Sequence, residues 1–346
     1  MSRSRDLADY DYELPPERIA QEPTPERDGA RLLVLERSSG RLHHSSVREL
    51  AGWLREGDLA VRNATRVLPA RLRGRKPTGG AAEALLLGPA GAPGCFRALL
   101  RGAGRARIGT KLRFGAGAVA REAEVAELGP AGEVVLAFAP GEDPYAAGET
   151  PLQPYIRREA PRAGDAERYQ TVFARVPGSV AAPTAGLHLS ERLFAELAAR
   201  GVGCAELVLH VGPGTFRPLR EEDLARDRLH AERYELPAET ERAVAAARAR
   251  GGRVVAVGTT TARVLETCAR EDGRVAAGAG ETELLLAPGS RFRAVDALLT
   301  NFHLPRSSLL LLVAAFAGRE PILHAYAEAI REGYRFYSYG DAMLIL

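Results

Sequence analysis

Apolar residues in this chain follow two rhythms, and the rhythm changes twice along its length. Short apolar runs at 31–36 (RLLVLE) and 58–62 (DLAVR), bounded by turn residues, predict strands. Between them, 47–54 predicts a short helix ending near Gly57, and Pro15 and Pro16 start another after an extended entry. From about residue 68 the pattern shifts to short apolar pieces between glycine and proline turns, at 82–87, 95–101, 111–114, 119–127 and 133–138. That spacing predicts a small antiparallel barrel or sandwich, ending in the loop at 141–150.

A longer period then returns. Ser190 is placed to cap a helix whose apolar face is Leu193, Phe194 and Leu197, and Gly201 to close it. Strands are expected at 205–210, 253–257 and 283–287, and helices at 237–250, 259–269, 307–316 and 322–332. Terminal strands are expected at 335–337 and 343–346. Strands alternating with helices predict an α/β fold, a mixed sheet with helices on both faces, carrying an inserted small antiparallel β-barrel. The expected division is 1–66 with 152–346 for the discontinuous α/β part, and 67–151 for the barrel.

Composition narrows the class. The 346 residues are 46% hydrophobic and 26% charged, which fits a globular chain with a sizeable core. No apolar run reaches the length of a membrane span, and the polar first residues do not read as a signal peptide, so a cytoplasmic protein is expected. Cys95, Cys204 and Cys268 have neither metal nor redox spacing. Net charge is only +3, yet Lys76 and Lys111 are the only lysines; a GC-rich genome is one explanation of that bias toward arginine, and the fit of its planar fork to phosphate is another. The basic stretch 62–76 (RNATRVLPARLRGRK) is either a solvated face or a nucleic-acid patch.

Two segments break both rhythms. Residues 178–188 (GSVAAPTAGLH) and 210–216 (HVGPGTF) repeat small residues, prolines and hydroxyls beside a histidine, on either side of one amphipathic helix. Glycine and alanine let backbone approach a ligand closely, and proline stiffens it. Each alone is as readily a tight turn with a buried histidine; two flanking one helix point to a shared pocket. Gly258 to Thr261 puts glycine and hydroxyls where a strand meets a helix, a place for an anion or a plain cap. Residues 300–305 (TNFHLP) add His303, and His230 and Glu232 share a face if their segment is a strand. There is no GxGxxG, no Walker lysine, no zinc spacing and no GxSxG elbow. The histidines suit proton transfer near neutral pH. These features indicate an acid–base pocket without naming its reaction.

Read together, DYELPPERIAQ, TRVLPARLRGRK, PLQPYIRR, RYQTVFA, GSVAAPTAGLH, LHVGPGTF, AVGTT, TNFHLP and the terminal YRFYSYGDAMLIL resemble the S-adenosylmethionine:tRNA ribosyltransferase-isomerase family of queuosine biosynthesis. The resemblance covers nearly the whole chain and implies an α/β catalytic domain with an inserted β-barrel. It also implies transfer and isomerisation of the ribosyl part of S-adenosylmethionine onto 7-aminomethyl-7-deazaguanine at the tRNA wobble position. Adenine and methionine would leave and epoxyqueuosine would form. S-adenosylmethionine would be a consumed substrate, with no cofactor and no metal, and the tRNA would carry a GUN-type anticodon. A monomer is expected.

On this resemblance His188 or His210 is the expected base, with His303 and Glu232 assisting. Ser179, Thr184, Thr215, Thr259, Thr260 and Asn301 are expected to bind substrate, and Arg66, Arg71 and Lys76 to contact tRNA phosphates. Two positions depart from the family pattern: Ala64 stands where an acid is usual, and Asp227 replaces the first of two paired histidines. They leave open an alternative, a catalytically impaired member acting as a tRNA-binding protein. Another S-adenosylmethionine-dependent transferase would need a glycine-rich turn that is missing here.

Overall fold

The computed structural model describes the chain apart from residues 1–5, 103–105, 159–161, 163, 217, 218 and 220, and the side chains of Thr215 and Phe216. Nine strands among the described residues make one mixed sheet. Its order is Gly278–Leu284, Arg228–Leu236, Gly203–Leu209, Leu59–Asn63, Val254–Val257, Ala297–Asn301, Ala342–Ile345, Arg31–Leu35 and Leu42–Ser46. The four central strands, Gly203–Leu209 through Ala297–Asn301, are mutually parallel. Antiparallel neighbours flank them on both sides.

Central strands read as unbroken apolar runs because both faces of the sheet are covered. Leu59, Val61, Ala256 and Leu298 enter one core, against helices Ala238–Ala249, Thr259–Thr267, Ser308–Ala317 and Arg319–Arg331. Their neighbours Ala60, Val255, Val257 and Leu299 enter a second core, under helix Glu191–Ala199. Ser190 caps that helix, its hydroxyl accepting from the Leu193 amide at 3.2 Å. Helices Ser308–Ala317 and Arg319–Arg331 meet at 115°; no single described helix is long and apolar enough to cross a membrane.

A second sheet closes on itself. Strands Arg71–Arg75, Ala81–Pro89, Cys95–Arg101, Glu133–Phe138, Arg121–Leu128 and Lys111–Phe114 pair in that order, and the last pairs back onto the first. The result is a six-stranded antiparallel barrel. Closure needs Gly74, where a Cβ would stand 2.2 Å from the Arg113 carbonyl oxygen. The closing strand Arg71–Arg75 hides in the basic stretch. Leu72 is its only buried member, and the arginines alternate outward. The chain enters the insertion through Thr65–Val67 and leaves it toward Val176–Ser179, and these two short strands pair in parallel.

Two expectations change. Residues 335–337 form no strand, only a single bridge between Phe336 and Ile19, because Tyr337 turns into the left-handed region (φ 73°). The strand expected at 283–287 runs instead over Gly278–Leu284, and the apolar end Leu285–Ala287 packs as a buried irregular segment.

Phe302 is fully buried among Tyr326, Tyr334 and Phe336, with ring centroids 4.9–5.6 Å away. Phe302→Ala is expected to cost about 3–5 kcal/mol of stability, read from the urea midpoint; an unshifted midpoint would remove this ring from the core.

Candidate active site

The four parallel strands end together at Leu209, Asn63, Val257 and Asn301. Strand Leu59–Asn63 is flanked by Gly203–Leu209 on one side and by the later strand Val254–Val257 on the other. Connections diverging from one strand leave a crevice at its carboxyl end, where ligands bind in open α/β sheets. Most of the candidate residues follow these four ends.

Asn63 organises the first group. It is fully buried; its Oδ1 accepts from the amides of Thr65 (3.1 Å) and Leu209 (3.0 Å). Its Nδ2 donates to the Leu209 carbonyl (3.0 Å) and to Thr260 Oγ1 (3.2 Å). Thr65 Oγ1 then lies 2.9 Å from His210 Nδ1 and 2.7 Å from Ser179 Oγ, which accepts from the Val211 amide at 2.8 Å. Gly178 lies flat on the His210 imidazole, where a Cβ would come within 2.6 Å of the ring. Residues 178–180 and 210–211 are therefore in direct contact. Burial, and next the positive charge of Arg233, push the His210 pKa down.

Asn301 organises the second group. Its Oδ1 accepts from Thr184 Oγ1 (2.9 Å), and its Nδ2 lies 2.8 Å from His188 Nε2 and 3.2 Å from the Tyr337 carbonyl. Burial, helped by Arg335, lowers His188 to about 4. His303 Nε2 pairs with Thr300 Oγ1 at 2.8 Å, its amide donates to Tyr326 Oη at 3.0 Å, and Tyr12 Oη donates to its carbonyl. Burial lowers His303 to about 3. Tyr337 keeps its left-handed backbone because its amide donates to the Phe302 carbonyl (3.1 Å) while its own carbonyl holds Asn301.

Glu232 belongs to a third group. Its Oε1 accepts from the Gly212 amide at 2.9 Å, and its Oε2 is ion-paired with Arg263. Arg263 Nε also donates to the Leu284 carbonyl at 3.0 Å. His230, two residues back on the same strand, is exposed and packs on Gly214, where a Cβ would meet its ring at 2.6 Å. Thr259 is nearly buried at the start of its helix, one residue after Gly258. The Thr215 side chain lies outside the described residues.

The basic candidates stand elsewhere. Arg66 is exposed just past Asn63, and Lys76 sits on a barrel turn closed by Gly79 and Gly80. Arg71 is engaged by Glu83 at 2.7 Å and lies 3.7 Å from Glu149. It lines a cavity of about 330 Å³ with Arg73, Glu149, Arg158 and Asp165, which includes none of His188, His210 and His303. Among the described residues no group of three His, Cys, Asp or Glu side chains is placed to hold a metal.

Sequence reasoning missed Asn63, Thr65, Arg263 and Tyr337. A polar Asn closing the apolar run of 58–62 is the signal that marks Asn63. Nothing local marks Arg263, which reads as a surface position of an amphipathic helix but is 6% exposed.

This is an α/β enzyme of the open-sheet type whose polar candidate residues gather in the loops after four parallel strands. The chain matches the queuosine biosynthesis protein family over residues 7–345 and belongs to it. It is 51% identical over 345 residues to the S-adenosylmethionine:tRNA ribosyltransferase-isomerase of Pelobacter propionicus, covering 98% of this chain and 99% of that one. It is 54% identical over 346 residues to the protein of the same name from Anaeromyxobacter sp., with 98% of each chain covered. Its fold resembles the crystal structure of S-adenosylmethionine tRNA ribosyltransferase from Thermotoga maritima, at TM-score 0.57 and 39% identity, covering 98% of this chain and all of that one. The chain is thus a transferase-isomerase.

The two histidines lowered furthest by burial, His188 and His303, make a prediction about acid. Below about 6.5 the unfolded chain takes up protons that native His188 (about 4) and His303 (about 3) refuse, so stability falls as pH drops through that window. The urea midpoint is expected to decline on acidification, and His303→Gln to flatten the decline. An equally steep slope in that variant would mean His303 is protonated in the native state.

Proposed function

We propose that this enzyme moves the ribosyl part of S-adenosylmethionine onto 7-aminomethyl-7-deazaguanine at the wobble position of a tRNA with a GUN-type anticodon. The sugar rearranges to the epoxycyclopentane of epoxyqueuosine, and adenine and methionine are released. S-adenosylmethionine is consumed as a substrate and no resident cofactor takes part. We propose further that the protein works as a cytoplasmic monomer. The observation that supports this reading is the match, over 98% of the chain and at about half identity, to relatives named S-adenosylmethionine:tRNA ribosyltransferase-isomerase.

The chemistry asks for few groups. A sulfonium acidifies the carbons beside it, so a base can remove a proton there. The departing adenine needs a donor, and the methionine end brings a carboxylate and an ammonium that need partners. His188, His210 and His303 are the proton-handling candidates. Glu232, held by Arg263 and the Gly212 amide, is a fixed negative charge beside the 210–216 loop. Ser179, Thr184, Thr259, Thr260 and Asn301 are hydroxyls and an amide at the strand ends, suited to the polar ends of the nucleoside; Thr215 joins them by sequence. Arg66 and Lys76 would contact tRNA phosphates, whereas Arg71 would have to leave its carboxylates to do so.

A second reading rests on Ala64 and Asp227. Ala64 is fully buried and bonds only through its backbone, and Asp227 occupies a left-handed turn (φ 53°). A member impaired at these positions would bind tRNA without turnover.

One assay separates the two. Purified protein incubated with S-adenosylmethionine and tRNA bearing the aminomethyl-deazaguanine base is expected to release adenine; tRNA binding without adenine supports the second reading. His188→Ala is expected to lower turnover by about a hundredfold or more while leaving tRNA affinity nearly unchanged. Parallel losses of both would make His188 a folding residue.

A further inference from the structure

His188 and His210 differ in what can be done with a proton, and the difference lies in their partners. The Tyr337 carbonyl can only accept, so the Asn301 atom facing it must be the amide nitrogen. Thr184 donating to Oδ1 agrees with that orientation. The second N–H of the same nitrogen points at His188 Nε2, 2.8 Å away. His188 Nε2 is therefore an acceptor, and the ring proton sits on Nδ1, which has no hydrogen bond among the described residues. A proton added at Nε2 would set two donors face to face. His188 is buried in this arrangement, 4% exposed, so such a clash would lie inside the protein.

His210 faces a hydroxyl. Thr65 Oγ1 at 2.9 Å can donate to Nδ1 of the neutral ring or accept from Nδ1–H. Behind it, Ser179 Oγ at 2.7 Å can likewise serve as donor or acceptor, while the Val211 amide holds it in place. Rotation of two hydroxyls thus accommodates both tautomers and the cation without moving a heavy atom. Nε2 has no hydrogen bond among the described residues. Gly178 fixes the ring plane from one side.

The geometry points to a division of labour, resting on the reaction proposed above: His210 is the histidine that takes and returns a proton, and His188 is a fixed Nδ1–H donor. In the abstraction step Nε2 of His210 gains a proton from a carbon beside the sulfonium. The C–H electron pair stays on that carbon, and the imidazolium donates from Nδ1 to Thr65. Thr65, Ser179 and Asn301 are positioning residues, acting through the two rings.

The donor assignment is tested without substrate. In full-length protein with ¹⁵N-labelled histidine, the His188 signals are identified by their loss in His188→Gln. They are expected to show a protonated Nδ1 and a bare Nε2 throughout the neutral range, and Asn301→Asp is expected to reverse this tautomer. A proton on Nε2 of wild-type His188 overturns the assignment, whatever the protein's activity.

The base assignment is tested by turnover. Thr65→Val is expected to lower kcat about tenfold, the worth of one hydrogen bond, with KM for S-adenosylmethionine little changed, and Thr65→Ser to recover most of it. Wild-type kcat in Thr65→Val overturns the base role; should that variant not fold, Ser179→Ala serves the same comparison. Absence of adenine release from the wild-type enzyme would instead strike the reaction itself and leave the tautomer result standing.

Discussion

One side-chain amide fixes the geometry on which everything near the site depends. Asn63 has two acceptor directions and two N–H groups, and all four are used inside a fully buried space. A buried amide left half-satisfied costs on the order of 1–3 kcal/mol per orphaned group. The fully paired arrangement therefore tolerates little drift among the ends of strands Leu59–Asn63 and Gly203–Leu209 and the start of helix Thr259–Thr267. Thr65 is placed by this amide, and Thr65 in turn sets the ring of His210. Precision at the crevice comes from a saturated polar knot as much as from the apolar layers around it.

The same logic recurs in Asn301, with a different outcome. Asn63 spends its bonds mainly on backbone, so it is an architectural residue. Asn301 spends one N–H on an imidazole, so its orientation is chemical information. Two asparagines at the ends of neighbouring-but-one strands thus do separate work, one holding the frame and the other determining a protonation state.

The fold was legible where burial imposes a period. Apolar runs such as 253–257, and the capped face of Leu193 and Leu197, follow directly from two-sided coverage of the sheet. The barrel was legible from its turn spacing, except for its closing strand. Arg71–Arg75 offers only one side chain to the interior, and its arginines speak louder than Leu72. The 335–337 segment misled because its aromatic residues suit a strand, yet the Asn301 contact holds Tyr337 in a left-handed turn. Within the site, the histidine-bearing loops were visible through their unusual small-residue composition. Arg263 and Thr65 were not, since each acquires its meaning from a partner 31 or 145 residues away.

The paired strands Thr65–Val67 and Val176–Ser179 have an evolutionary corollary. The polypeptide departs and returns at adjoining positions, so the excursion between them is topologically a closed detour. Lengthening, trimming or exchanging that detour alters what is displayed at its far end without changing the distance its two roots must span. Natural variation in the barrel's outer turns should be cheap, while the two roots, which carry Thr65 and Ser179, should be nearly immutable.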